Sequence, residues 1–249
     1  MIKPTEAESL RPEQLLSWGY GQFPESFAIV TSFQKEGMIL VHMAAGISKN
    51  IRILTLDTGR LPEQTFAMME TVRDRYGFAV EVLAPNANEV SNLMTLHGPN
   101  LFRKNVAARK LCCEVRKVRP LALQMKTLGA YAVGLRRGQS DSRAEVAKAE
   151  IENGRWKLSP LAGWSEAEVD DYIAVNDVPL HPLYAAGYRT IGCACCTRAS
   201  QAGESARAGR WWWEQEGDKE CGLHVTPKGE LKRELDVLLD EVLTNAHGS

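Results

Sequence analysis

No stretch of this chain approaches the ~18 consecutive apolar residues that a helix needs to cross a bilayer. A basic-then-apolar leader is missing too, because Met1–Leu10 mixes acids, a proline and isolated hydrophobes. Neither sign of charge is in excess: 30 basic residues face 31 acidic ones, for a formal net charge of -1. That removes any global electrostatic case for a nucleic acid or an anionic membrane as partner. Internal repeats and low-complexity segments are absent as well. The expectation is a soluble, cytoplasmic protein that meets neither nucleic acid nor membrane.

What is present is a chain of 249 residues, 44% of them hydrophobic, enough for a sizeable core. Its first half alternates strand-like and helix-like runs. Phe27–Phe33, Ile51–Asp57, Ala79–Ala84 and Ala130–Leu135 are short, apolar and rich in β-branched residues. Gly37–Ile47, Pro62–Tyr76 and the region 105–128 have helical spacing, and Pro62 suits a first turn. Alternation of this kind predicts an α/β fold with a doubly wound, mostly parallel sheet covered on both faces. Further on, Ala147–Ile151 and Arg155–Leu158 flank Glu-Asn-Gly and predict a hairpin. Ser165 with Glu168 three residues later is a capping box. Pro179–Thr190 reads as loop, and Gly229–Leu243 as a charged amphipathic helix. The division expected is a single domain over residues 1–249: a helical segment at 1–25, a core at 26–190, and a cysteine-bearing segment with a final helix at 191–249.

In a sheet of this kind ligands bind beyond the carboxyl ends of the strands. Polar loops follow three of them: Ser32-Phe33-Gln34-Lys35-Glu36-Gly37, Leu56-Asp57-Thr58-Gly59-Arg60, and Gly134–Ser140 with Arg136 and Arg137. A small polar loop leading into a helix offers backbone N–H groups to an anion. The first loop lacks the Gly-Lys-Ser/Thr ending of a Walker motif. Alone it is as consistent with an ordinary turn; three such loops together point to a phosphate-bearing ligand.

The chain has six cysteines, Cys112, Cys113, Cys193, Cys195, Cys196 and Cys221, five of them in two tight groups. In a reducing compartment such grouping indicates metal or redox chemistry before structural disulfides. Cys193 and Cys196 form a C-x-x-C, and Cys112 with Cys113 completes a set of four thiolates. Zinc sites draw on spaced pairs, so adjacent ligands fit zinc poorly, whereas the four iron corners of a [4Fe–4S] cluster can each take one neighbour. Cys195 is surplus to four. Around the first pair, Arg103–Arg119 holds seven basic residues against one acid, Glu114. A charge run is commonly a solvated helix face, but here Arg116 and Lys117 stand beside thiols whose ionised forms they would stabilise. Arg207 and Arg210, three apart, would share one side of a helix and suit a sulfate or phosphate. Trp211–Trp213 reads as packing. Cys221, in Glu220-Cys-Gly-Leu-His224, has the setting of an accessible nucleophile. Glu220 would raise its pKa, so any lowering must come from His224, Arg207 or Arg210.

Taken together, KLCCEVRKVRPL, IGCACCTR, the Arg-Ala-Gly-Arg-Trp-Trp-Trp-Glu stretch, ECGLH and LDTGRLPEQT resemble the assimilatory adenylyl-sulfate (APS) reductases, over about Phe27 to His224. The resemblance implies the adenine-nucleotide α-hydrolase-like (PP-loop) sheet, with 26–190 as its nucleotide-binding part. It implies a [4Fe–4S] cluster on Cys112, Cys113, Cys193 and Cys196, and Cys221 as nucleophile. It sets Lys117, Arg207, Arg210 and His224 around the sulfate, and Ser32–Gly37, Leu56–Arg60 and Arg136 around AMP. It further implies thioredoxin or a similar dithiol as reductant and a mobile segment around Cys221; the sequence leaves a homo-oligomer open. Relatives acting on the 3′-phosphorylated nucleotide (PAPS) commonly lack the cluster cysteines, so the set favours APS, with PAPS or dual use as the alternative. A PP-loop RNA-thiolating enzyme and a zinc-stabilised nucleotide module are the readings from other classes. The sequence departs from the family pattern twice. Cys195 stands where proline is frequent, which makes it an alternative ligand to its neighbour. ECGLH is followed by a helix, whereas in many relatives it lies close to the chain end.

Overall fold

A computed structural model describes residues 3–214 and 229–246; Cys221 and His224, and the roles expected of them, lie outside the described residues. Two short helices come first, α1 (Pro4–Ala7) and α2 (Pro12–Gln22), each opened by a proline in its first turn. The chain continues through β1 (Phe27–Val30), α3 (Lys35–Ile47), β2 (Arg52–Leu56), α4 (Glu63–Tyr76), β3 (Val80–Leu83) and α5 (Ala87–His97). Then come α6 (Val106–Cys113), a π-helical turn at Glu114–Val118, α7 (Arg119–Met125), β4 (Ala130–Val133), β5 (Ala149–Glu152), β6 (Arg155–Leu158), α8 (Glu166–Val175) and α9 (Gly229–Ala246).

The six strands run in the order β3-β2-β1-β4-β6-β5. β1 pairs in parallel with β2 and β4, and β4 with β6; β5 returns antiparallel to β6. The doubly wound, mostly parallel sheet expected from the alternation is therefore what forms. In β1, Phe27, Ala28 and Ile29 are all buried, the consecutive burial of a strand covered on both faces. The β5–β6 hairpin turns on Asn153 and Gly154, both at positive φ (51° and 77°), as a two-residue turn of the primed type requires. Helix α4 stops at Gly77, whose left-handed φ of 71° suits a residue without a Cβ. Ser165 and Glu168 make the reciprocal capping box at α8.

The backbone groups into two compact units that interleave along the chain. The first comprises residues 1–55, 62–82 and 127–186, and its core is built on the sheet with Phe27, Ile29, Met38, Ile53, Val72 and Leu158. The second comprises 56–61, 83–126 and 187–249. Its core brings Leu93, Phe102, Leu111 and Val115 together with Cys112, Cys113, Cys193, Cys196, Trp211, Leu235 and Val242. Among the described residues no helix is long and apolar enough to cross a membrane.

Candidate active site

The two cysteine groups, more than seventy residues apart in sequence, meet in the second unit. Helix α6 begins at Asn105, whose side chain accepts from the Ala108 N–H at 2.7 Å. It is buried from Ala107 through to its last two residues, Cys112 and Cys113. The wider π-helical turn that follows carries Arg116 and Lys117. On the other side, Cys193 opens a tight turn closed by the Cys196 N–H donating to the Cys193 carbonyl at 2.9 Å. Backbone contacts fix that turn: Ala194 N–H to the Arg60 carbonyl at 2.8 Å, and Trp211 N–H to the Cys196 carbonyl at 3.1 Å. The Thr197 hydroxyl adds a bond to the Cys193 carbonyl at 3.0 Å.

One pocket is lined by five thiols, Cys112, Cys113, Cys193, Cys195 and Cys196, and by four cations, Arg60, Arg109, Arg116 and Lys117, with Phe102 and Trp211 as its apolar wall. Four of the thiols are buried and Cys195 is the partly exposed one. Among the described residues no three ligand-type side chains converge closely enough to hold one metal ion. The Sγ atoms of Cys195 and Cys196 are 3.8 Å apart, and Arg60 Nη1 is 3.7 Å from Cys195 Sγ. The Cys196 thiol beside it pulls Cys195 down to about 6, and Arg60 acts in the same direction. That same contact, together with burial, pushes Cys196 up. Burial also raises Cys112, against the pull of Arg116 and Arg60. Arg60 thus favours the ionised forms of Cys195 and Cys112, and Arg116 that of Cys112.

Thr58 and Arg60, expected at the nucleotide, lie at the thiols. The Thr58 hydroxyl is 3.3 Å from Cys193 Sγ, and Arg116 Nη1 donates to the Thr58 carbonyl at 2.8 Å. Asp57 accepts from the Gly59 N–H at 2.8 Å and so shapes the turn after Leu56, the last residue of β2. Arg60 also stacks on Phe102, with 5.2 Å from its guanidinium carbon to the ring centre.

The Arg207–Arg210 segment is a series of turns, so the helical spacing considered for the two arginines is not realised. Arg210 is buried against Gly192, where a Cβ would come within 2.5 Å of its Nη1. Its Nε is buried with no hydrogen-bond partner among the described residues. Two guanidiniums lie over the Trp211 ring, Arg109 at 4.2 Å and Arg210 at 4.5 Å from its centre. Arg109, fully buried, pairs with Glu214 at 2.6 Å. Sequence reasoning missed Arg109; the only signal was its place in the basic run beside the first cysteine pair.

The first unit holds the Ser32–Gly37 loop and Arg136. Phe33 takes a left-handed φ of 57°, its ring buried and its N–H donating to Thr31 Oγ1 at 2.9 Å. This kink turns the chain into α3. Gly37 is required there, because a Cβ would meet the Thr31 hydroxyl oxygen at 2.2 Å. Gln34, the N-cap of α3, supplies no side-chain cap; its amide donates to the Ser32 hydroxyl at 3.0 Å. The Lys35 N–H donates to the Tyr184 hydroxyl at 3.3 Å, and the Lys35 ammonium pairs with Asp170 at 2.6 Å. Arg136, expected at AMP, is buried: its Nε pairs with Glu36 at 2.7 Å and its Nη1 donates to the Trp164 carbonyl at 3.1 Å. Glu36 sits in the first turn of α3, where its charge would oppose an arriving phosphate. Arg136 neutralises that charge. Tyr184 was not singled out by the sequence, where it lies in a stretch read only as loop.

Comparison with known proteins adds an independent line. Residues 26–199 match the family model described as the phosphoadenosine phosphosulfate reductase domain. The chain is 43% identical over 208 residues to the adenosine 5′-phosphosulfate reductase of Burkholderia cepacia, covering 83% of each. To the enzyme of the same name from Allochromatium vinosum it is 44% identical over 202 residues, or 80% of this chain and 79% of that one. Among solved structures, the phosphoadenylyl-sulfate (PAPS) reductase of Candida auris, a phosphate complex, superposes with a TM-score of 0.66 at 26% identity. It covers 77% of this chain and 92% of that one.

Proposed function

The chain belongs to the phosphoadenosine phosphosulfate reductase family, and from that premise we propose that it is an oxidoreductase that reduces adenosine 5′-phosphosulfate to sulfite and AMP. Cys221 is the nucleophile, a [4Fe–4S] cluster is held by Cys112, Cys113, Cys193 and Cys196, and thioredoxin or a similar dithiol is the reductant. The observation that carries the reading is the meeting of five thiols and four cations around one pocket. Buried thiols are the soft donors that iron–sulfur chemistry uses, and the cations offset the charge that their ionisation brings. The residues present therefore fit the group. Bound there, the cluster supplies a rigid charged centre that ties the end of α6 to the turn at Cys193–Cys196.

The remaining steps belong to the chain's own residues. The uncapped N-terminus of α3, with the loop Ser32–Gly37, receives the nucleotide phosphate. Lys117, Arg207, Arg210 and His224 stabilise the sulfate as AMP leaves; the Nε of Arg210, which has no hydrogen-bond partner among the described residues, supports that role. The Cys221 thiolate attacks sulfur, the S–O bond to the phosphate breaks, and AMP departs with the bonding pair. This leaves S-sulfocysteine on the enzyme. A thiolate of the dithiol then attacks the Cys221 Sγ, sulfite leaves, and the second thiol resolves the mixed disulfide. A reducing, cytoplasmic setting keeps these thiols available.

The test is intact mass after incubating reduced, iron-replete protein with adenosine 5′-phosphosulfate alone. Wild type should gain a sulfonate that Cys221→Ser does not; no adduct on wild type would sink the proposal. The family and the Candida auris relative are named for the 3′-phosphorylated nucleotide. Running that nucleotide in parallel measures which substrate is preferred.

A further inference from the structure

Helix α6 is too short to be stable alone, and it is buried on every side from Ala107 to Cys113. Its cysteine-bearing end must therefore be held by neighbours. One of them is α9, which packs against both α5 and α6. Along α9, Leu231, Leu235, Leu238, Leu239 and Val242 recur at helical spacing, and Leu235 and Val242 are buried. Lys232, Asp236, Val237 and Asp240 are exposed on the helix. Leu235 and Val242 belong to the same packed core as Cys112, Cys113, Cys193 and Cys196, and Leu238 and Leu239 pack against it. A polar contact joins α9 to α5 as well: Asn92 Nδ2 donates to the Val242 carbonyl at 3.4 Å.

We propose that α9 is a brace for the thiol pocket, with Leu235 and Val242 acting through α5 and α6 as positioning residues for Cys112 and Cys113. The pocket then depends on a helix that follows Cys221 in the chain. With the α9 stripe intact, the end of α6 keeps its two thiols in place whether or not metal is bound. With the stripe weakened, α6 frays first, and it frays from inside the shared core. The consequence for metal retention rests on the iron–sulfur reading above; the bracing of α6 does not.

The experiment uses the full chain carrying Leu235→Ala or the milder Leu238→Ala, with the exposed-face substitution Val237→Ala as control. Two readouts are taken: amide exchange of α5 and α6 in iron-free protein, and the rate at which purified holoprotein gives up iron to a chelator. Leu235→Ala should speed exchange in α6 and speed iron release by about ten-fold or more, as a cavity in a shared core loosens what surrounds it. Leu238→Ala should fall between Leu235→Ala and wild type, and Val237→Ala should match wild type. Unchanged α6 exchange in Leu235→Ala overturns the brace. A wild-type protein that binds no iron overturns the iron–sulfur reading, while the exchange data still decide the brace.

Discussion

Arg60 extends Nη1 to 3.7 Å from the Sγ of Cys195, and that sulfur is 3.8 Å from the Sγ of Cys196. Of these adjacent thiols, one is engaged by a guanidinium and partly exposed, and the other is buried beside Cys112, Cys113 and Cys193. The iron–sulfur proposal takes the buried member, Cys196, as the fourth ligand. Cys195→Ala should keep the iron content and visible absorbance of the purified protein, whereas Cys196→Ala should lose most of both. Iron retained in Cys196→Ala and lost in Cys195→Ala would reassign the ligand to Cys195.

Much of this molecule was legible from local signals. The central strands β1, β2 and β4 were visible because their short apolar runs are buried on both faces, and the hairpin because Asn153-Gly154 is the pair its turn demands. The two cysteine groups could be joined on paper by the needs of a four-thiolate set. The rest depends on long-range packing that leaves little local trace. Helix α5 went unread although Asn86, which accepts from the Asn88 and Glu89 N–H groups, marks its start. Val90, Leu93 and Met94 fall at helical spacing, but only Leu93 of the three is buried, and part of the helix's cover comes from a helix some 130 residues later in sequence. The π-helical turn after Cys113 has no sequence signature distinct from a continuous helix. The interleaving of two compact units, and the use of Thr58 and Arg60 at the thiols, follow from where the loop after β2 packs.

Arg136 and Glu36 form a nearly dry ion pair at 2.7 Å, with side chains 8% and 12% exposed. Removing one partner of such a pair leaves a buried charge uncompensated, at a cost of about 3–5 kcal/mol. Arg136→Met should therefore destabilise the protein strongly in denaturant unfolding. Adding Glu36→Gln should restore a large part of the loss, because the orphaned carboxylate is then gone. If the double variant is as unstable as the single one, the pair is not the reason Arg136 matters. The same variants test the electrostatic argument at α3: Arg136→Met should weaken AMP binding more than the double variant does, since only the single variant leaves Glu36 charged in the first turn.

His181 and His42 make stability depend on pH near neutrality. His181 is 1% exposed; its Nδ1 accepts from the Leu183 N–H at 3.3 Å, so its Nε2 carries the proton and donates to Thr65 Oγ1 at 3.0 Å. Burial holds its pKa below the ordinary 6.5. His42, whose Nδ1 lies 2.9 Å from the Tyr172 hydroxyl, is lowered by burial and then by Arg75. Both rings are thus kept neutral in the fold while the unfolded chain protonates them near 6.5. Below that pH the unfolded state binds more protons, so this stabilisation is complete above about 6.5 and is lost as pH falls through the lowered folded values. The carboxylate Glu8, raised by burial but held below its ordinary 4.5 on balance by Arg137 and Lys148, contributes its own loss only at lower pH. The melting temperature, measured in matched buffers from pH 7.5 to 5, should fall progressively below about 6.5. His181→Asn offers the Leu183 N–H another acceptor but cannot titrate; it should start lower and decline less steeply over this range. A slope equal to that of wild type would show that His181 is not one of the groups responsible.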